Sequence, residues 1–256
     1  KDIYSEIGTA IDAVAANTKP MHAIFIKDFK LASLNYTRQF LNFGYSEIKV
    51  EPNLIIKLKP EWKSFEDYKN ILKSKYRIKA NKADSVSSTL KTRIFSEQDF
   101  ITYKHELQAL YQNTIDKASF NAQVLNLNTY SHLSTSLKND FIVKGYFLEN
   151  RLVGFLTALV NDNKLDAHFI GLDYDLNKSH SIYPRILNDY IRIGIKKQVL
   201  SINLGRTASE IKTTIGANPL DLSCYIKHKN PFFNMLIKPF LKRIKIKEFK
   251  QHSPFK

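Results

Sequence analysis

The stretch Phe141–Tyr174 reads F-I-V-K-G-Y-F-L-E-N-R-L-V-G-F-L-T-A-L-V-N-D-N-K-L-D-A-H-F-I-G-L-D-Y. It predicts three strands, Phe141–Leu148, Arg151–Val160 and Lys164–Tyr174, divided by Glu149-Asn150 and Asp162-Asn163, which are hairpin-turn residue types. Connections this short force an antiparallel meander, because parallel neighbours need a crossover of a dozen residues or more.

Downstream, Ser181–Gln198 reads as a helix capped by Ser181, with Pro184 in its first turn, where a missing N–H costs little. A strand over Val199–Leu204, a short helix over Ala208–Ile215 stopped by Gly216, and a strand over Leu220–His228 follow. The order β-β-β-α-β-α-β predicts an α+β fold in which the strand after the crossover helix lies parallel to the third, with a split in the sheet. Upstream, helical spacing covers Asp2–Asn17, a strand covers Met21–Phe29, and a helix over Leu31–Phe43 ends at Gly44. Another strand runs over Asn53–Leu58. Ser64, with Asp67 three residues on, then caps a helix that becomes strongly basic across Lys73–Lys82. Ser85–Thr89 reads as an interdomain joint, followed by a strand at Leu90–Phe95 and helices over Glu97–Lys117 and Thr129–Lys138. The expected organisation is a partial N-terminal half over 1–84, a complete domain over 85–230 and a basic amphipathic tail over 231–256.

The 256 residues carry 39 Lys+Arg against 24 Asp+Glu, a net charge of +15. At 43% hydrophobic and 12% aromatic the chain fills a core, which separates it from disordered sequences. No G-x-G-x-x-G or G-K-[ST] phosphate loop is present, and Cys224, the sole cysteine, excludes an internal disulfide and multi-cysteine metal sites. Cys224 itself reads as a small buried hydrophobe. No apolar run approaches the roughly 20 residues of a spanning helix. With neither an initiator Met nor a cleavable-signal pattern, the expectation is a processed or trimmed soluble cytoplasmic protein. The positive surplus draws polyanions: nucleic acid, anionic lipid or phosphate-bearing carriers.

Three stretches, read with the element order, resemble the GNAT acyltransferase superfamily, in particular its tandem FemAB-like and BioF2-like branch. Trp62–Arg77 (W-K-S-F-E-D-Y-K-N-I-L-K-S-K-Y-R) looks like the helix between the two halves of that branch. Gly145–Phe155, with its V-G-F, is similar to the second strand of the core, and Leu204–Gly216 (L-G-R-T-A-S-E-I-K-T-T-I-G) looks like a segment near the end of the second half. The resemblance implies a GNAT-like mixed sheet flanked by helices, in two halves of which the first is short or incomplete. It also implies transfer of an acyl or aminoacyl group to an amine-bearing small molecule or lipid precursor in envelope or lipid synthesis. The donor would be acyl-CoA, an acyl-carrier-protein thioester or an aminoacyl-tRNA, with no metal.

The resemblance places the donor's amide arm along Phe169, Ile170, Gly171 and Leu172, where the sheet splays. Its phosphates fall at the following turn, with Lys178, Ser179, His180 and Arg185. Acetyl-CoA enzymes typically carry Gln/Arg-x-x-Gly-x-Gly/Ala there, whereas this chain reads N-K-S-H-S-I-Y-P-R, so carrier-protein and tRNA donors stand beside coenzyme A. Lys212 is expected to stabilise developing charge, as one oxyanion donor does by about 2.7–4 kcal/mol. Arg206 is expected to pair with a substrate phosphate or carboxylate, with Lys75 and Arg77 also on the substrate side. Asp166 and His168, on one face of the third strand, are candidates for taking the amine proton. Asn230–Lys250 alternates aromatic and aliphatic residues with Lys and Arg, the pattern of a helix lying on anionic membrane, here the inner membrane face. A different reading keeps the fold without the chemistry: a non-catalytic module that binds polyanions or membrane.

Overall fold

The structure, a computed structural model, describes residues 3–18, 21–117, 124–241 and 243–256. Asp2, at the start of the first expected helix, and Lys242, in the expected tail, lie outside them. In chain order the elements are α1 (Ile3–Asn17), β1 (Ala23–Lys30), α2 (Leu34–Thr37), β2 (Ser46–Lys57), α3 (Phe65–Asn70), α4 (Ser74–Val86), β3 (Leu90–Ile94), α5 (Glu97–Thr102), α6 (Lys104–Lys117), α7 (Thr129–Leu137), β4 (Phe141–Leu148), β5 (Arg151–Asn161), β6 (Lys164–Leu172), α8 (Tyr174–His180), α9 (Ile182–Lys196), β7 (Ser201–Asn203), α10 (Ser209–Thr213), β8 (Asn218–His228) and α11 (Pro231–Leu241). They divide into two units, Lys1–Asn53 with Pro219–Lys250 and Leu54–Asn218 with Gln251–Lys256. The residues expected as one tail over 231–256 are thus shared between the units, and the Ser85–Thr89 stretch lies inside the second as the end of α4 and the turn after it, with Ser87 buried.

In the second unit the strand order is β2-β7-β6-β5-β4-β3. The meander forms as the turns dictate: Leu148 pairs with Arg151 and Asn161 with Lys164, each across two residues, with Glu149 and Asp162 at positive φ. β7 lies parallel to β6, as the crossover helix requires, over Lys164–Asp166 against Ser201–Asn203. β2 then pairs antiparallel with β7. One core, built on Leu54, Ile56, Tyr68, Leu156, Leu165, Ile186, Ile191 and Ile202, fills the α9 face of the sheet. A second, with Phe100, Leu107, Tyr111, Tyr130, Phe141 and Phe155, fills the face under α5, α6 and α7.

The helix expected to continue from Ser64 across the basic run is instead two. Ser64 and Asp67 form their capping box at the start of α3. The helix then breaks at Ile71–Lys73, because the C-terminal segment takes that backbone: Leu72 bridges Phe255, Lys73 N donates to Pro254 O (2.8 Å) and Lys256 N to Ile71 O (3.0 Å). Phe255 packs on Trp62 and Tyr68. Gly216, at φ +91°, makes room for it, since a Cβ there would lie 2.3 Å from the Phe255 ring. Glu97–Lys117 also divides, at Tyr103, into α5 and α6.

In the first unit β1 pairs antiparallel with β8 in the order β1-β8-β2. Phe40, Tyr45 and Tyr225 form its small core, and the buried Cys224 faces Asp28. Gly44 ends the preceding 3₁₀ turn at φ +81°, as expected, although Leu31–Phe43 is mostly 3₁₀ rather than one α-helix. α11 follows β8 and contains Pro239.

Candidate functional site

β6 and β7 stay paired for only three residues and part after Asp166 and Asn203. Asn203 closes the last rung: its Nδ2 donates to Asp166 Oδ1 (2.9 Å), and its Oδ1 accepts from Gly205 N (3.0 Å). Beyond the rung, β6 bulges where Thr157 faces two residues, His168 and Phe169, and both turn to the α6–α7 face. His168 Nδ1 is buried without a hydrogen-bond partner. Burial pushes the imidazole below the ordinary histidine value, and the Asp166 carboxylate opposes that shift.

The β6 edge expected to hold a donor's amide arm is lined by α6. Ile170 O accepts from Thr114 Oγ1 (2.9 Å) and Leu172 O from Asn113 Nδ2 (3.0 Å). Gly171 permits this approach, because a Cβ there would lie 2.2 Å from the Phe155 ring and 2.8 Å from Leu110 Cβ. The turn expected to hold the donor's phosphates makes hydrogen bonds of its own. Ser181 sits at φ +47° with no side-chain cap, its N–H donates to Asn177 O, and Asn177 Oδ1 takes the N–H of Tyr183 (2.8 Å). Upstream, the Asp173 carboxylate caps α8 by accepting from Asp175 N (3.1 Å) and Leu176 N (3.2 Å), and it pairs with Arg151 (2.9 Å). The helix-start N–H groups of Asp175, Leu176 and Tyr183 are thus occupied by the chain itself.

Arg185, expected on phosphate, is drawn inside the fold. Its Nε lies 3.2 Å from the buried Asp189 carboxylate, which also takes Lys144 Nζ (2.7 Å), Arg192 Nη1 (2.8 Å) and Tyr146 OH (2.8 Å). Burial alone would raise the Asp189 carboxyl, but Lys144 and Arg185 outweigh it and hold the group below the usual carboxylate range. Arg192 reaches on to Asp84 of α4, and Asn188 donates to Ala80 O and Asp84, so this network locks α9 to α4.

Lys212 is buried, and its ammonium donates to Leu204 O (2.7 Å) and Arg206 O (2.5 Å). Here it fastens the backbone after β7, where Gly205, Thr207 and Ala208 all hold positive φ. For Thr and Ala that conformation costs roughly 1–3 kcal/mol each, and such strain persists only when its surroundings enforce it.

The other side of α10 faces a cleft of about 500 Å³ inside the second unit. Tyr76, Lys79 and Lys82 come from α4, Pro184 and Leu187 from α9, Glu210 and Ile211 from the α10 segment, and His252 from the C-terminal segment. His252 Nδ1 lies 3.2 Å from Tyr76 OH and its Nε2 lies 3.4 Å from Glu210. Lys75, Arg77, Lys178, Ser179 and His180 do not line this cleft, although Ser181 does. The basic run lies on the helix that lines the cleft, but the residues expected on the substrate side, Lys75 and Arg77, are not among its lining. The signal was the spacing Tyr76-Ala80-Ala83, a narrow face at i, i+4 and i+7 with Lys79 and Lys82 beside it. Nothing local in the sequence marked His252. Among the described residues no group of three or more His, Cys, Asp or Glu is arranged to hold a metal ion.

No family model and no curated protein matches the sequence. Solved structures match the fold. The C-terminal domain (DUF2156) of a putative lysylphosphatidylglycerol synthetase from Agrobacterium fabrum is 9% identical, with 93% of this chain and 77% of that chain covered at a TM-score of 0.61. FemX is 10% identical over 92% and 79%, with a TM-score of 0.57. A GCN5-related N-acetyltransferase from Sphaerobacter thermophilus is 12% identical over 86% and 65%, with a TM-score of 0.52. The parted β6–β7 pair, the crossover helix between them and these likenesses give one conclusion: the chain has a GNAT-like fold, which it shares with FemX and the synthetase domain.

Proposed function

We propose that this chain is an N-acyl- or aminoacyltransferase of the cytoplasm, acting on an amine-bearing small molecule or lipid precursor in envelope or lipid synthesis. The observation that carries the reading is the parting of β6 and β7 after Asp166 and Asn203, joined through α10 to a cleft with two lysines. The neighbours named as a synthetase, FemX and an N-acetyltransferase support it. In the reaction, the acceptor amine attacks the donor's ester or thioester carbonyl. The C–N bond forms, the C–O or C–S bond breaks, and the leaving group departs with its electron pair. His168, whose burial lowers its pKa, takes the amine proton from the α6–α7 side of the parted strands, while the donor's carrier lies on the α4–α9 side. Lys79 and Lys82 meet phosphate on the donor's carrier. Because Asp173 and Asn177 occupy the N–H groups around α8, an aminoacyl-tRNA or acyl-carrier protein, held over a broad surface, suits this site better than free acyl-CoA.

Single-turnover transfer from labelled aminoacyl-tRNA, acyl-carrier protein and acyl-CoA to an amine acceptor tests the reading. Label should reach the amine from one donor class. Steeply salt-dependent binding of RNA, with no transfer from any donor, would instead favour the non-catalytic polyanion module.

A further inference from the structure

α11 is an amphipathic helix docked through Asn234, with Ile237 and Leu241 half-buried on the same side. Asn230 Oδ1 accepts from Phe232 N (2.9 Å) and so caps its start. Asn234, its one buried residue, donates to Gly44 O (2.9 Å) and accepts from His228 N (2.9 Å), which fixes the helix in the first unit. Five apolar residues face away from that anchor: Phe232 is 61% exposed, Met235 61% and Phe240 69%, with Phe233 and Leu236 about half exposed. At 100° per residue, Phe232, Phe233, Met235, Leu236 and Phe240 fall within one arc, opposite Asn234. A helix that merely completed a core would bury this arc and leave Asn234 in water.

Charge selects the occupant. Residues 229–250 carry seven Lys or Arg and one Glu, a strongly cationic surround for an apolar face. A protein partner would supply apolar surface without needing that charge, whereas an anionic lipid surface supplies both an apolar layer and phosphates. Eleven residues span about 16 Å, against roughly 30 Å of hydrocarbon, and no described helix is long and apolar enough to cross a membrane. The helix therefore lies on a membrane rather than through it. We propose that α11 is an interfacial anchor that seats the protein on anionic lipid, with Phe232, Met235 and Phe240 entering the headgroup boundary and the basic residues that follow the helix, among them Arg243, Lys245 and Lys247, at the phosphates. This inference stands independently of the transferase reading.

Cosedimentation of the full chain with vesicles tests it. Vesicles of equal parts phosphatidylcholine and phosphatidylglycerol should pellet the protein, phosphatidylcholine alone should not, and added salt should weaken the binding. The double substitution Phe232→Asp with Phe240→Asp should lower partitioning roughly tenfold or more at an unchanged melting temperature, because both side chains are already in water. Arg243→Glu with Lys245→Glu and Lys247→Glu should abolish the preference for phosphatidylglycerol. Undiminished binding by the Phe double variant, equal binding to both vesicles, or no binding would overturn the proposal. A solution dimer that the Phe substitutions dissociate would overturn it in favour of a second copy on this face.

Discussion

The Lys212 ammonium lies 2.5 Å from the carbonyl oxygen of Arg206. The two residues that the sequence offered as separate charges for a substrate are tied to each other, side chain to backbone. Lys212 thereby acts on the loop after β7, and the loop in turn fixes where the parted strands open. Lys212→Met should remove charge-assisted hydrogen bonds worth roughly 1.5–3 kcal/mol each. Chemical denaturation should show that loss, with transfer falling in step. Intact stability with lost transfer would restore Lys212 to direct chemistry.

Asp189→Ala should be among the most damaging single changes. It leaves Lys144, Arg185 and Arg192 facing one another around a buried gap, and breaking a buried pair in this way costs roughly 3–5 kcal/mol. The sign with pH follows from the lowered carboxyl. The Asp189 contribution is complete above the ordinary carboxylate range and is lost as pH falls through that range toward the folded value. Urea unfolding of wild type and variant across acid pH should therefore converge at the acid end. Curves that stay parallel would contradict the network's role.

His168 should shape the pH profile of transfer. Its folded value lies below the ordinary histidine value of about 6.5, so the neutral ring persists at mildly acid pH and the acid limb should fall below about 6.5. Stability moves in the same direction: the unfolded chain binds the proton more readily, so stability is lost as pH drops from about 6.5 toward the folded value. His168→Gln should remove the limb and slow transfer by about 10²–10⁴-fold. An unchanged profile in that variant would exclude His168 as the base.

Phe255→Ala should cost about 2 kcal/mol, below the usual 3–5 for a fully buried Phe because this ring is only partly enclosed. The same change should loosen the donor cleft, since His252 sits on the same segment. A melting temperature unaffected by Phe255→Ala would show that the segment is not part of the core.

What the sequence made legible was local chemistry. The turns at Glu149 and Asp162, the Ser64–Asp67 capping box and the stop at Gly44 each depend on residues within a few positions, and all three formed. The failures involve partners far along the chain. Nothing near Ile71 signals that Pro254 and Phe255 will take its neighbours' hydrogen bonds. Arg185 looks available until Asp84 and Asp189 fold around it. Lys212 is a different case: its partners, Leu204 O and Arg206 O, are near in sequence, but residue types alone do not show that a lysine will bury its ammonium against backbone carbonyls. The shared face of Asp166 and His168 was legible, because the two stand two residues apart on one strand and the bulge begins only at His168.

The central claim, that the cleft between α4, α9 and α10 receives the donor, is tested most directly by thermal shift of the full chain with aminoacyl-tRNA, acyl-carrier protein and acyl-CoA. A donor at 100 times its Kd should stabilise the protein by about 2.7 kcal/mol, and Lys79→Glu with Lys82→Glu should erase the shift without lowering the unliganded melting temperature. A shift that survives both substitutions, or no shift with any donor, would contradict it.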